Sequence, residues 1–283
     1  MGTMRRIDLH CYPGTEEWVK SQGPYVDALA RYWGRSWAGR AEDEVVADVA
    51  SAGVEAVLVA FDIESLTGAP PCTSAYVAGM RDRHPQTFIQ AWGAVDPLKG
   101  EQAVAEAVTA VEVHHVLGFH FHPIIGHFSV DDPDLRPLFE AIDGMGVPVM
   151  IDVGTTGMGA GLPGGLGARL SHAHPMAIDN LAAQFPGLTI IASHPGWPWV
   201  EDMTAVALHK ANVYWELSGW APKYFPPGVR KDIRGRLREK VMFGSDHPSM
   251  TYERVLKEWD ELGYDEAVMS LVFHENAERV LGL

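Results

Sequence analysis

The sequence predicts an α/β fold, a (β/α)8 or TIM barrel running over residues 1–283 as a single domain. Three observations point there. Eight short apolar runs recur along the chain, and stretches with apolar residues at helical spacing lie between them. No glycine-rich dinucleotide turn follows any run, which disfavours the alternative of an open, doubly wound sheet. Five of the eight runs carry histidine or aspartate as their last or next-to-last residue, at the strand end where barrels carry their chemistry.

The runs are, in order, Met4–His10, Val54–Phe61, Thr87–Ala94, Val116–His122, Pro148–Val153, Leu188–His194, Asn212–Ser218 and Val241–Asp246. Helical spacing shows at Val45, Val46 and Val49, at Val104, Ala107, Val108 and Val111, and at Leu135, Leu138, Phe139 and Ile142. Asp131-Asp132-Pro133 sets an acidic cap before a proline suited to a first helical turn. Gly53, Gly146 and Gly187 fall where a helix must stop before the next strand. Two segments break the rhythm, and both follow a strand, on the catalytic face. Residues 13–40 carry Trp18, Tyr25, Tyr32, Trp33 and Trp37 and read as a lid-like insertion. Residues 154–175 are glycine-rich and read as a mobile loop that gates access or lets backbone amides approach a ligand.

Net charge is −15, so the surface should repel nucleic acid and anionic membranes, which favours a small-molecule substrate. Cys11 and Cys72 are the two cysteines. They suggest no disulfide framework and fit a reducing compartment. No apolar signal core opens the chain and no run reaches membrane-spanning length. The expectation is a soluble cytoplasmic protein.

The strand ends carry His10, then His120 and His122, then Asp152, His194 and Asp246. Barrel closure makes such distant ends neighbours. Imidazoles and carboxylates gathered in one place are costly to bury unpaired, and a bound cation offsets that cost. Zn²⁺ suits an N/O donor set, with Mn²⁺ and Fe²⁺ as alternatives. His120 and His122 alternate, so they face the same way. Asp8 should point inward and make a structural hydrogen bond beneath the metal, and alternation turns Cys11 away. His247 is a candidate to orient a ligand. Trp92, Asp96, Ser218 and Trp220 are expected to line the pocket. His114, His115, His172, His174, His209 and His274 read as loop, surface or packing residues.

On the motifs IDLH (7–10), GFHFHP (118–123), IIASHPG (190–196), FGSDHP (243–248) and ENAERVLGL (275–283), the chain resembles the amidohydrolase superfamily. The branch is that of aminocarboxymuconate-semialdehyde and γ-resorcylate decarboxylases, oxalomesaconate hydratase and lactone hydrolases. The resemblance covers nearly the whole chain. It implies a barrel of the metal-dependent hydrolase type, with a metal held by an HxH pair on the first strand, a histidine on the fifth and an aspartate on the eighth. His10 and Asp246 match the first and last ligands. His194 matches a sixth-strand histidine that assists catalysis. Tyr12 stands in place of the second histidine of the pair, and Asp152 in place of the fifth-strand histidine. A lysine is frequent where His120 stands, and His120 is a candidate to supply the missing nitrogen. Relatives commonly form dimers or tetramers, so a homodimer or homotetramer is implied.

The expected metal ligands are therefore His10, Asp152, Asp246 and His120. Asp246 and His194 are the expected catalytic residues, and Tyr12, His122, Trp92 and Trp220 the substrate-binding ones. The leading activity is hydrolysis of a small aromatic lactone, ester, thioester or β-keto compound by metal-activated water. Asp246 would move the proton and His194 would polarise the carbonyl or orient the water. The glycine-rich GTTGMGAG run resembles hydrolases of aromatic β-ketoacyl thioesters. The alternatives are non-oxidative decarboxylation of an aromatic or unsaturated acid, and a non-catalytic ligand-binding barrel.

Overall fold

The computed structural model describes residues 4–34 and 36–283. Eight parallel strands occur where the apolar runs predict them, each shorter than its run. They are β1 (Ile7–Cys11), β2 (Glu55–Val59), β3 (Phe88–Trp92), β4 (Phe119–Phe121), β5 (Val149–Asp152), β6 (Ile190–Ser193), β7 (Val213–Glu216) and β8 (Val241–Met242). Neighbours pair in the order β1-β2-β3 and β4-β5-β6-β7-β8. Two seams join these sheets into a closed barrel. At β3/β4, Gly93 pairs with Phe119, and the His120 amide donates to the Gly93 carbonyl at 2.8 Å. At β8/β1, Cys11 pairs with His247, and the Asp246 amide donates to the His10 carbonyl at 2.9 Å. The fold is thus the expected TIM barrel. No described helix is long and apolar enough to cross a membrane.

Helices return the chain from each strand to the next. Val45 and Val49 bury from helix Glu42–Ser51, and Leu138, Phe139 and Ile142 from helix Arg136–Met145, as their spacing predicts. Helix Glu101–Glu112 differs. Its fully buried residues are Ala103, Ala107 and Ala110, while Val104, Val108 and Val111 are only half-buried. Small side chains let this helix lie close to its neighbours and push the valines to the edge of the contact. Asp132 accepts from the Asp134 amide and starts the turn that leads into helix Arg136–Met145, and Gly146 ends that helix in the left-handed region. Gly187 does not adopt that conformation.

The two long loops meet over the strand ends. Residues 13–40 form helices Glu16–Ser21 and Tyr25–Trp33, with Thr15 bridged to Arg40 at the base of the segment; Arg35 lies outside the described residues. The glycine-rich segment packs against the second of these helices, with Gly157 beside Leu29 and Trp33. Gly154 has φ +87°, and a Cβ there would fall 2.5 Å from the Gly196 carbonyl carbon. Its missing side chain therefore serves the crossing of the β5 and β6 exit loops, where the Thr155 amide donates to the Trp197 carbonyl at 2.8 Å.

Asp8 secures the β8/β1 seam. Its carboxylate accepts from the His10 and Ser245 amides at 3.0 and 2.8 Å, from the Ser245 hydroxyl, and from the Tyr252 phenol at 2.6 Å. The expected structural hydrogen bonds are there, but they run to the end of β8 and to helix Tyr252–Asp260. His247 belongs to the same seam. It stacks on Tyr252 and lies 3.9 Å from the Cys11 sulfur, so it does not orient a candidate ligand.

Trp92 also departs from expectation. It is fully buried and absent from the wall of the cavity described below. Its indole lies against Gly118, where an added Cβ would come within 2.6 Å of Trp92 Cδ2. Gly118→Ala should therefore overpack the core and lower unfolding free energy by about 1–3 kcal/mol, read by urea denaturation.

Candidate active site

A cavity of about 670 Å³ opens over the C-terminal strand ends. Asp152, His122, His194, Asp246 and Tyr12 reach it from β5, β4, β6, β8 and β1, and Trp220 from the loop after β7. His10 and His120 are buried beside these groups. Closure thus gathers every expected site residue except Trp92. Ser218 and Asp96 have other tasks. Ser218 is a buried hydrogen-bond node, and Asp96 caps a turn by accepting from the Leu98 and Ser65 amides.

Asp152 is the centre of the cluster. His120 Nε2 lies 3.0 Å from its Oδ1, His194 Nε2 3.5 Å from the same oxygen, and His122 Nε2 3.4 Å from Oδ2. Burial alone would raise its pKa, but the three imidazoles outweigh burial and hold it well below the usual carboxylate range. His194 moves the opposite way. Burial disfavours its cation, yet Asp152 dominates, with help from Asp246 and Glu216, and pushes it up to about 10. Burial raises Asp246 to about 7, against the pull of His194. His194 and Asp246 both sit at positive φ, +73° and +59°, which is uncommon outside glycine and concentrates at functional sites. Gly219 makes room for the first, since a Cβ there would lie 2.5 Å from His194 Nδ1.

His10 carries the clearest sign of a missing partner. Its ring is fully buried and its Nδ1 is engaged, yet Nε2 has no hydrogen-bond partner. The nearest carboxylate, Asp246 Oδ1, stands 3.9 Å away. A buried polar nitrogen left without a partner is costly unless something occupies it. Ligand atoms of His10, His120 and Asp152 lie within 4.8 Å of one another. Two imidazoles and a carboxylate suit a divalent cation, so these residues fit a metal site. Asp246 stands beside that group rather than in it.

Glu216 was not foreseen. It is fully buried at the end of β7, and its Oε2 lies 3.2 Å from His10 Nδ1 and 2.8 Å from Ser218 Oγ. Burial raises it to about 8, opposed by His194 and Ser218. His10, His194 and Glu216 form a second group of ligand-type atoms. Ser218 Oγ hydrogen-bonds all three residues, which gives that group a hydroxyl at its heart. The one sequence signal was an acidic residue inside the otherwise apolar run VYWEL.

Four further histidines take structural places. His174 caps helix Pro175–Gln184 and packs on Trp199, His274 pairs with Glu278, and Arg81 binds the carbonyls of His114 and His115.

The amidohydrolase family model matches residues 9–283. A comparison with curated proteins finds no match. Among solved structures, a TIM-barrel protein of Bordetella bronchiseptica is 21% identical, with 99% of each chain covered and a TM-score of 0.81. The 5-carboxyvanillate decarboxylase of Novosphingobium aromaticivorans, complexed with manganese and 4-hydroxy-3-methoxy-5-nitrobenzoic acid, is 16% identical over 99% of this chain and 97% of that one, with a TM-score of 0.73. A probable 2-pyrone-4,6-dicarboxylic acid hydrolase of Acinetobacter baumannii, with citric acid bound, is 14% identical over 99% and 100%, with a TM-score of 0.65.

If the orphaned nitrogen of His10 marks a metal site, purified protein dialysed against Zn²⁺ or Mn²⁺ should retain about one ion per chain, the stoichiometry of one closed ligand set. Asp152→Ala and His120→Ala should each lose it. Elemental analysis after gel filtration checks this.

Proposed function

We propose that this chain, which belongs to the amidohydrolase family, hydrolyses an aromatic carbonyl compound with the help of a divalent metal. Zinc is our first choice, because the donors are imidazole and carboxylate. His10, His120 and Asp152 would hold the ion, with Asp246 beside them. When bound, it supplies Lewis acidity and lowers the pKa of water to about 7. The observation that carries the reading is that the Asp246 carboxylate and the His194 imidazole line one cavity together.

The protein's own groups then divide the work. Asp246 accepts a proton from the attacking water as its oxygen bonds to the carbonyl carbon. His194 donates a hydrogen bond to the carbonyl oxygen, where negative charge develops. Asp246 returns the proton to the leaving group as its bond to carbon breaks. Tyr12, His122 and Trp220 line the same cavity and would contact the substrate.

The walls describe the substrate. Trp18, Leu29, Tyr32 and Trp33 come from residues 13–40, which we read as the lid, and Trp197, Trp220 and Tyr224 face the same cavity. The volume lies well inside the range of about 300–1,000 Å³ that accepts drug-sized ligands. An aromatic substrate with a further substituent fits better than a lone ring. Among the described residues that line the cavity, Arg254 is the one arginine, and no lysine joins it. It suits an acidic group at the outer end of the substrate.

Hydrolysis of an aryl lactone or aryl β-ketoacyl thioester in ¹⁸O-water should place one label in the new carboxylate. Asp246→Asn should lower kcat by about 10²–10⁴ while the thermal melt stays close to wild type. Release of CO₂ from a hydroxybenzoate, with no hydrolysis of either carbonyl probe, would establish decarboxylation instead. Arg254→Met should raise KM for acid-bearing substrates about tenfold, the worth of one hydrogen bond to a charged group, and leave kcat in place.

A further inference from the structure

We propose that Glu216 is a positioning residue that fixes the tautomer of His10, directly and through Ser218, so that His10 presents a bare Nε2 to the metal site. Hydrogen-bond polarity fixes the protons. Ser218 has a single hydroxyl hydrogen, and it is donated to Glu216 Oε2 at 2.8 Å. Toward His10 Nδ1 at 3.2 Å and His194 Nδ1 at 3.0 Å, Ser218 Oγ can then only accept. Because Oε2 already accepts the Ser218 hydrogen, any acid proton on Glu216 lies on Oε1, and Oε2 faces His10 Nδ1 at 3.2 Å as a second acceptor. Both Nδ1 atoms must carry hydrogen. A neutral His10 ring with its proton on Nδ1 leaves its lone pair on Nε2, the buried atom that has no partner. Outer groups that fix ring orientation in this way raise ligand basicity.

The fold goes to some length to hold this carboxylate. Glu216 is fully buried, paired with Ser193 on one side and Met242 on the other. Gly244 leaves space for its second oxygen, since a Cβ at that position would fall 2.1 Å from Glu216 Oε1. That oxygen has no hydrogen-bond partner. A fully buried carboxylic group with an unpartnered oxygen costs stability, and the contacts it does make are those with His10 and Ser218.

The inference rests on the metal reading for one of its two readouts and not for the other. The first is the ¹⁵N spectrum of histidine-labelled, metal-free protein, with His10 assigned through His10→Asn. Wild type should show a protonated Nδ1 and a bare Nε2. Glu216→Leu should shift His10 toward the other tautomer or a mixture. The second is a Co²⁺ titration followed by absorption, in which Glu216→Leu should bind about 10–100-fold more weakly. An unchanged His10 spectrum in a folded Glu216→Leu protein overturns the proposal. A changed spectrum in a chain whose wild type binds no Co²⁺ upholds it and overturns the metal reading. Should Glu216→Leu fail to fold, Ser218→Ala decides. It removes one hydroxyl, and it must change the His194 Nδ1 resonance while Glu216 still holds His10 Nδ1 protonated. Loss of the His10 tautomer in that variant, or no change at His194, counts against the relay.

Discussion

The seam between the first and last strands is the constraint on which the site depends. Only there do His10 and Asp246, 236 positions apart in the sequence, come within 3.9 Å. The seam is narrow. β8 has two residues in regular pairing, and the register of β1 against β2 shifts between Asp8 and Cys11. A one-residue slip would turn every side chain to the other face. Asp8 guards against that by receiving four hydrogen bonds from both sides of the seam. A buried carboxylate is expensive unless its oxygens are occupied, and here they are. The same residue that closes the barrel therefore aims His10.

Electrostatics then sorts the groups that closure brings together. Asp152 has three imidazoles around it and stays ionised. Asp246 and Glu216 have fewer partners, and burial moves both toward neutrality. His194 lies near all three carboxylates and keeps its proton. Similar chemical groups are thus driven apart in proton affinity by position alone, which is how one pocket supplies both an acid and a base near neutral pH.

Much of this was legible along the chain. The eight runs fixed strand order, and strand-end residues named His10, His120, Asp152, His194 and Asp246. What escaped depended on packing across elements. Glu216 was passed over because a single acidic residue in an apolar run gives no hint that a serine two positions on, and histidines about 20 and 200 positions away, will share it. Trp92, expected to line the pocket, is buried in the core instead. Its burial follows from Gly118 on the neighbouring strand, a contact that strand periodicity does not encode. The valines of helix Glu101–Glu112 outweighed its alanines in apolarity, but closeness of approach favours the smaller side chains.

The departure at Tyr12 joins the metal question to the substrate question. A tyrosine there removes a nitrogen from the first strand, and His120 on β4 stands near enough to His10 and Asp152 to replace it. The phenol ring meanwhile does something imidazole would do less well. It lies edge-on to His10, His120 and Phe61, at 5.0, 5.7 and 6.2 Å between centroids, and tilts against Trp18 at 5.1 Å. Trp18 continues to Trp37, and Trp37 to Trp33. An aromatic surface therefore runs unbroken from the candidate ligands out to the insertion that walls the cavity. His120 therefore offers the nitrogen that position 12 lacks, and Tyr12 forms the inner end of the aromatic track. A histidine at position 12 would add a nitrogen donor beside His10 and interrupt that track where it meets the candidate ligands.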